Sequence, residues 1–577
     1  MRKILWGTAV LAMTLCSFAQ TTKPVAELPR VYIDSTYVAP VGTVRAAHTS
    51  AELTSALTAA APGDTIVLDA GAVYSGNFSL PAKSNPTGKW IYVISSALVN
   101  LPEHVRVSPD VAGNMPKIVS PNVSQAISIK DGANHWRFSG IEFYSASTFK
   151  PKGIVNYQGY ALISNYGISI VTLPDSIWFD RCYVHGDATH DLQRAITANF
   201  SNAALVDSYI SDIHYQGAEA NALGAWWTPG PIKVVNNYLE ASTENVLIGG
   251  AGGKNNPYVP SDIEFRNNYL YKPPAWFPLS KAPINQMVVK NSFELKSAQR
   301  VLVDGNTIEN NWVAGQNGYA VVFTVRSSAS GDVAVVNDVT FTNNLLKNVA
   351  AGFNTLAADD NCGIAWAKSC GNSGSQTRWN ISNNLIILAS DPTWGVGAVI
   401  GFGPGLDRIN GGIRVPLKDV VYQHNTAISS STKPCWANIF AAATGVTRPY
   451  TDKVSKNLWF LDNVMCKQPY GDNGLQGMAA LNEYLSGPTT GPNGITARFY
   501  GNVMWSSNGA VYTFPAGNKV LSTLTYVDPA NGNYELVAPW MTTSDGKPAG
   551  YNHAELQKHI VVAPVALKPP LRKAQVR

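Results

Sequence analysis

Four ionisable residues stand where they could act together: Glu244, Glu294, Lys296 and Arg326. Glu294 and Lys296 are two apart, so an extended strand turns both to one face. Glu244 lies one segment before, just ahead of NVLIGG, and Arg326 about one segment after, at the end of VVFTVR. A lysine or arginine beside carboxylates supplies a proton acceptor, a proton donor and a positive charge for an anionic group. In this set Lys296 or Arg326 takes the base or charge-neutralising role, and Glu294 orients it or donates a proton. The same residues would equally form a surface salt-bridge ladder.

A second constellation lies in HGDATHDLQR, with His185, Asp187, His190, Asp191 and Arg194, joined by His214 one segment later. Histidine and aspartate together suit acid–base work or a metal ion. The spacing matches no defined metal motif, and solvated loop residues account for it as well. A third set, Asp180, Asp207 and Asp304, sits beside predicted corners, where turn-making alone explains aspartate. Trp226 and Trp227 are adjacent and cannot both point inward from one strand, which leaves one as a flat platform for a ligand. Trp276, Phe277, Trp312, Trp366 and Trp394 also fall in or near loops, where packing onto the body explains most of them.

A recurring phrase must position these residues. It reads VVNNYL at Val234, FRNNYL at Phe265, VDGNTI at Val303, FTNNLL at Phe341 and ISNNLI at Ile381, and continues through Tyr422, Leu461 and Tyr500. Its second polar position gives a column, Asn237, Asn268, Asn306, Asn344, Asn384, Asn425, Asn463 and Asn502, with Ser208, Cys182 and Gly140 at the earlier copies. The steps, roughly 29 to 41 residues, are those of a stacked solenoid. Asparagine tolerates the left-handed backbone of a tight corner, and its amide can bond to copies above and below. Outside the column, RAITA, NALGA, NVLIGG, SFELKS, VVFTVR and GFNTL align as a second strand of successive coils.

The chain has 577 residues, of which only 14% are charged, with 48 glycines and a formal charge of +5. This composition favours an all-β chain rich in tight turns. The charge argues for no nucleic-acid partner. Residues 1–19 carry a basic tip, a short apolar run and a small-residue cleavage site, which predict a signal peptide and a secreted protein; Cys16 would make a lipoprotein site, against which bulky Leu15 argues. No later stretch is long enough to span a membrane. Residues 20–47 read as an extended segment, 48–555 as one solenoid opened by a capping helix starting near Ser50, and 556–577 as a tail. Cys362 with Cys370 is the expected disulfide, Cys435 with Cys466 a second, and Cys182 a buried free thiol.

The strand phrases and asparagine column, after the opening PGDTIVLDAG, resemble the pectate-lyase-like superfamily of right-handed parallel β-helices over about Ala51 to Ala549. Within that span PKIVSPN, DRCYVHGD, PSDIEFRNNYLYKP, KNSFELKSAQRVLVDGNTIENNW and DPANGNYEL are similar to a group of secreted bacterial β-helix proteins. The opening is also similar to the alginate and chondroitin lyase branch, whose members cut acidic polysaccharides by β-elimination. The resemblance implies an all-β, single-stranded solenoid and a polysaccharide partner, and the chain is expected to be a monomer. Elimination at a uronic acid needs a cation for the carboxylate, a base for the C5 proton and an acid for the leaving oxygen. Lys296, Arg326, Glu294 and Glu244 are the residues expected to supply these, with Ca²⁺ or a second cation as neutraliser. Trp226, Trp227, His185, Asp187, Arg194 and His214 are the expected binding residues. The alternatives are a non-catalytic carbohydrate-binding or adhesion solenoid, and a hydrolase using aspartates on adjacent coils. The NTD and DD signatures of such hydrolases are not evident; Asp359-Asp360 is a DD in a long loop.

Overall fold

The computed structural model describes residues 23–147, 157–165, 172–250, 256–283, 286–326, 334–357, 378–395, 398–403, 405–407, 413–429, 436–440, 455–466, 469–471, 477–485, 487–491, 494–506 and 513–560. The signal peptide, Asp359, Asp360, Trp366, Cys362, Cys370 and Cys435 lie outside them. Short strands stack into three long sheets of 14, 14 and 12 strands. The first sheet starts at Val44–Ala47, the second at Val73–Ser75 and the third at Phe78–Leu80. In each sheet every pairing is parallel, and the chain visits the three in rotation. Parallel strands joined by crossovers wind right-handed, so the molecule is a right-handed parallel β-helix.

The expected column is a continuous hydrogen-bonded ladder. The backbone N–H and the side-chain amide of Asn237 both donate to Asn268 Oδ1 at 2.9 Å, and the pattern repeats upward to Asn502. Below, the Cys182 N–H donates to Ser208 Oγ at 3.0 Å and the Ser208 N–H to Asn237 Oδ1 at 2.9 Å. Above, Asn518 accepts from Asn502. The left-handed residue is the one before each ladder position: Asn236, Asn267, Asn343 and Asn383 have φ between +54° and +59°. Gly140, placed in the column from sequence, belongs to this left-handed position with φ +69°. Ile141 is the ladder-level residue, because Ser139 pairs with Asp180. Cys182 is a buried free thiol.

The interior is one apolar core running the length of the coil, with aromatic rings stacked between coils. Tyr422, Phe460 and Phe499 follow each other at ring separations of 5.1 and 5.4 Å. Helix α1, Ser50–Ala59, closes the first coil with Leu53, Ala56 and Leu57 buried. Its N-cap is Thr49, one residue before Ser50, and Glu52 completes a capping box.

Two terminal segments bind coils far apart in sequence. Lys23 Nζ bonds Gln423 at 2.8 Å, the Glu27 N–H Asp338 at 3.0 Å and the Arg30 N–H Asp262 at 2.9 Å. The Ile33 carbonyl accepts from Lys233 at 2.8 Å and that of Thr36 from Arg137 at 3.1 Å. The expected extended segment is thus a strap laid down the outer face of the first sheet. At the other terminus, Ser544 bonds Asp462, Asn552 bonds Asn383, and His559 Nδ1 lies 3.0 Å from Asp304. Helix α2, His553–His559, includes residues read from sequence as tail. Residues 101–107 cover the lower part of the same corner, where Leu101 accepts from Arg181 and Arg106 donates to the carbonyls of Asn236 and Asn267.

Candidate active site

The four expected residues lie on or beside strands of the third sheet. Its strands include Arg194–Thr197, Asn221–Ala225, Glu244–Ile248, Asn291–Leu295, Tyr319–Thr324 and Ala351–Leu356, the coil segments aligned from sequence. Register sets Thr197, Gly224, Leu247, Glu294, Val322 and Asn354 side by side on successive coils. A cavity of about 340 Å³ opens there, lined by Glu294, Gln316, Tyr319, Thr324, Arg326 and Asn354 among others.

Two of the four expected residues, Glu294 and Arg326, line this cavity, and Lys296 adjoins them. Lys296 Nζ lies 3.5 Å from Glu294 Oε1, and the Arg326 N–H donates to the Lys296 carbonyl at 2.9 Å. Gly249 and Gly250, with φ +74° and +80°, let the chain pass close by: a Cβ on Gly250 would sit 2.3 Å from the Lys296 side chain. Glu294 is 3% and Lys296 9% exposed, so the pair is held within the wall of the groove.

Glu244 has a different place. It pairs in register with Asn291 and is completely buried. Asn221 donates to its Oε2 at 2.9 Å, and Lys290 Nζ stands 3.4 Å from its Oε1. Lys290 also pairs with Glu219. Burial pushes the Glu244 carboxyl up to about 7, Glu219 and Glu294 adding to the rise while Lys290 and Lys296 oppose it. Burial works the same way on Glu219, but the Lys290 charge outweighs it and holds that carboxyl below its ordinary value. Lys290 itself is raised, its own burial being overcome by Glu244 and Glu219. Lys290 and Glu219 were not singled out from sequence. Their signal was adjacency: each comes one or two residues before an aligned strand.

Asn221 Oδ1, Glu244 Oε1 and Asn291 Oδ1 are sealed without a hydrogen-bond partner, on three consecutive coils in paired positions. Amide and carboxylate oxygens are the donors a hard cation such as Ca²⁺ takes. These residues fit such an ion, with Lys290 sharing the neutralisation of Glu244.

The histidine constellation divides: Asp187, His190, Asp191 and His214 are linked, while His185 and Arg194 stand apart. His185 stacks on Tyr183 at 4.2 Å and contacts Glu142 at 3.2 Å on the second sheet. His190 pairs with Asp187 at 2.6 Å in the loop, while buried His214 pairs with Asp191 at 3.2 Å and takes the Asp187 carbonyl at 2.8 Å. Arg194 leaves them for the third sheet. Neighbours in sequence become divergent in space because the chain turns from the second sheet to the third between them. Among the described residues, the group of acidic and histidine side chains close enough to share a metal is instead His424, Asp462 and Asp545, under the C-terminal strap.

The three corner aspartates are structural. Asp180 bonds Arg137 and Arg181 at 2.8 and 2.7 Å, Asp207 accepts from Asn236 at 2.6 Å, and Asp304 accepts from Asn343 at 2.7 Å. Trp276, Trp312 and Trp394 form a satellite core with Met287 and Val289, against which Phe277 packs. Trp227 is 7% exposed and faces Tyr258. Trp226 is the partly exposed member of its pair, its ring lying across Gly224 in the same outward column as Glu294.

No protein-family profile matches the sequence, and neither does any curated protein. Among solved structures, the chain is similar to the family-6 alginate lyase AlyGC at 12% identity and a TM-score of 0.44, over 91% of this chain and 60% of that one. It is similar to a mannuronic acid specific family-6 polysaccharide lyase from human gut microbiota at 12% identity and a TM-score of 0.38, over 84% and 92%. A polygalacturonase from Erwinia carotovora ssp. carotovora matches at 12% identity and a TM-score of 0.35, over 70% and 97%. The chain therefore spans about 60% of the length of the first of these.

Proposed function

We propose that the protein is a secreted polysaccharide lyase that cleaves an acidic polysaccharide by β-elimination in the groove of the third sheet. The observation that supports this reading is a cavity lined by Glu294 and Arg326, with Lys296 Nζ 3.5 Å from Glu294 Oε1 and an acidic and amide cluster beside it. Arg326 pairs with the carboxylate of a bound uronic acid, lowering the cost of charge that develops as C5 loses its proton. Lys296 Nζ takes that proton, held in place by Glu294 and by the close passage of Gly250. The electron pair left at C5 forms the C4–C5 double bond as the C4–oxygen bond breaks, and the departing oxygen takes a proton from the ammonium that Lys296 has just become, on the same face. A Ca²⁺ ion held by Asn221, Glu244 and Asn291 would add positive charge beside the substrate carboxylate.

The test is absorbance from unsaturated ends across a panel of acidic polysaccharides. Turnover is expected on at least one, falling by about 100-fold or more in Lys296→Ala, as removal of a proton-transfer group does, and falling also in Arg326→Ala. Turnover untouched in both variants removes the assignment. Absence of turnover with retained polymer binding would make the protein a carbohydrate-binding solenoid instead.

A further inference from the structure

Arg194 is a cation with an unfilled place beside it. It begins a strand of the third sheet and pairs in register with Asn221, which in turn pairs with Glu244. The residue is only 8% exposed, yet Nε and Nη1 are buried with no hydrogen-bond acceptor. Two rings flank it: the guanidinium carbon lies 4.5 Å from the centre of Tyr160 and 5.2 Å from that of Trp226. Glu219, the carboxylate close enough to feel its charge, is bonded to Lys290 instead. A guanidinium removed from water normally meets a carboxylate, because an unpaired buried charge is costly. Aromatic faces offset part of that cost but leave the planar fork, shaped for a carboxylate, without one.

The position of this fork is informative. Trp226 lies across Gly224, and Gly224, Leu247 and Glu294 occupy one outward column on consecutive coils. At about 4.8 Å per coil, the coil of Trp226 stands roughly 10 Å and that of Arg194 roughly 14 Å along the groove from Glu294 and Lys296. A linear polymer lying on the third sheet and parallel to the helix axis would pass both.

We propose that Arg194, Trp226 and Tyr160 form a subsite for the carboxylate of a uronic acid unit in the same chain that Lys296 acts upon. The proposal rests on the polysaccharide reading above, and it narrows the ligand to one acidic at units away from the scissile bond. Arg194 receives the carboxylate, and the two rings hold the guanidinium plane so that its orientation costs the ligand little. The subsite makes Arg194 a binding residue, with no part in proton transfer.

The experiment is titration calorimetry of oligouronates of defined length against the same oligomers after reduction of their carboxyl groups. Wild-type protein is expected to bind the acidic oligomers at least tenfold more tightly, and Arg194→Gln to lose most of that preference, keeping what Arg326 supplies, while binding the reduced oligomers as wild type does. Arg194→Lys keeps the charge without the fork and should recover only part of it. Thermal unfolding of each variant shows whether it is folded, and the wild-type comparison needs no variant. Equal binding of acidic and reduced oligomers by wild type overturns the proposal, as does an undiminished preference in Arg194→Gln. Turnover, measured separately by unsaturated ends, tests the lyase reading: it can fail while the subsite stands, or persist while the subsite falls.

Discussion

A carboxyl sealed from water among other carboxylates holds a proton that the unfolded chain would release, and Glu244 is in that condition. Burial, then Glu219 and Glu294, raise it from 4.5 to about 7. Between those values the native state binds more protons than the unfolded one, so the group's contribution to stability is complete below the unfolded value and is lost as pH rises through the folded one. The loss should be on the order of 3 kcal/mol across that window, taking 1.36 kcal/mol per pKa unit. Glu244→Gln keeps the shape and the Asn221 contact but cannot titrate, so denaturant unfolding at pH 5, 6, 7 and 8 should show a flatter slope in the variant. An unchanged slope would mean that Lys290 compensates Glu244 throughout. Of this cluster, Glu294 and Lys296 were legible in the sequence because the two-residue period of a strand fixes their common face. The burial of Glu244 was not, since it depends on Lys290, which arrives at the end of a loop of unrepeated length anchored by Trp276 and Trp312.

At the scale of elements, the ladder works because each asparagine is both donor and acceptor to its neighbours. Asn344 donates from its N–H to Asn384, gives its amide to Val303, Thr342 and Asn384, and accepts twice from Asn306. Replacing it with alanine strands the backbone N–H of Asn306, takes one acceptor from its amide and leaves two backbone carbonyls short, inside the molecule. Unsatisfied buried groups cost about 1–3 kcal/mol each. Asn344→Ala is therefore expected to lower stability by roughly 3 kcal/mol or more, while Asn518→Ala, at the top of the ladder and only part-buried, should cost visibly less. Chemical denaturation of the two variants measures the difference, and equal losses would contradict a ladder whose strength lies in its interior. The ladder was legible because every coil repeats it. The adjacent left-handed position was misplaced by one because the doublet Asn-Asn offers two residues equally suited to positive φ, and only strand register separates them.

A stack of coils, taken as a whole, is nearly one-dimensional: each coil touches its neighbours, so unfolding can begin anywhere and stop part-way. The straps change that connectivity. The N-terminal one ties the coils of Gln423, Asp338, Asp262, Lys233 and Arg137 to a single segment, and it buries Ala26 and Ile33 against them. Neither strap was legible as a strap in sequence, because a segment that borrows its partners from hundreds of residues away carries no periodicity of its own. Coupling distant coils should make the solenoid melt as a unit. Scanning calorimetry of the mature chain is expected to show one transition, and of a variant beginning at Thr43 a lower and broader one. Five strap hydrogen bonds at about 1 kcal/mol each set the scale of the loss, less whatever order the free segment regains. Lys296 and Arg326 lie on a different sheet, so groove chemistry well below the melting range should be retained in that variant. A sharp, unshifted transition would show the strap to be an ornament of the surface, and parallel loss of turnover at low temperature would show that the groove depends on it. The expected pair of results, weaker cooperativity with intact chemistry, follows only if the straps hold the coils together while the third sheet alone presents the site.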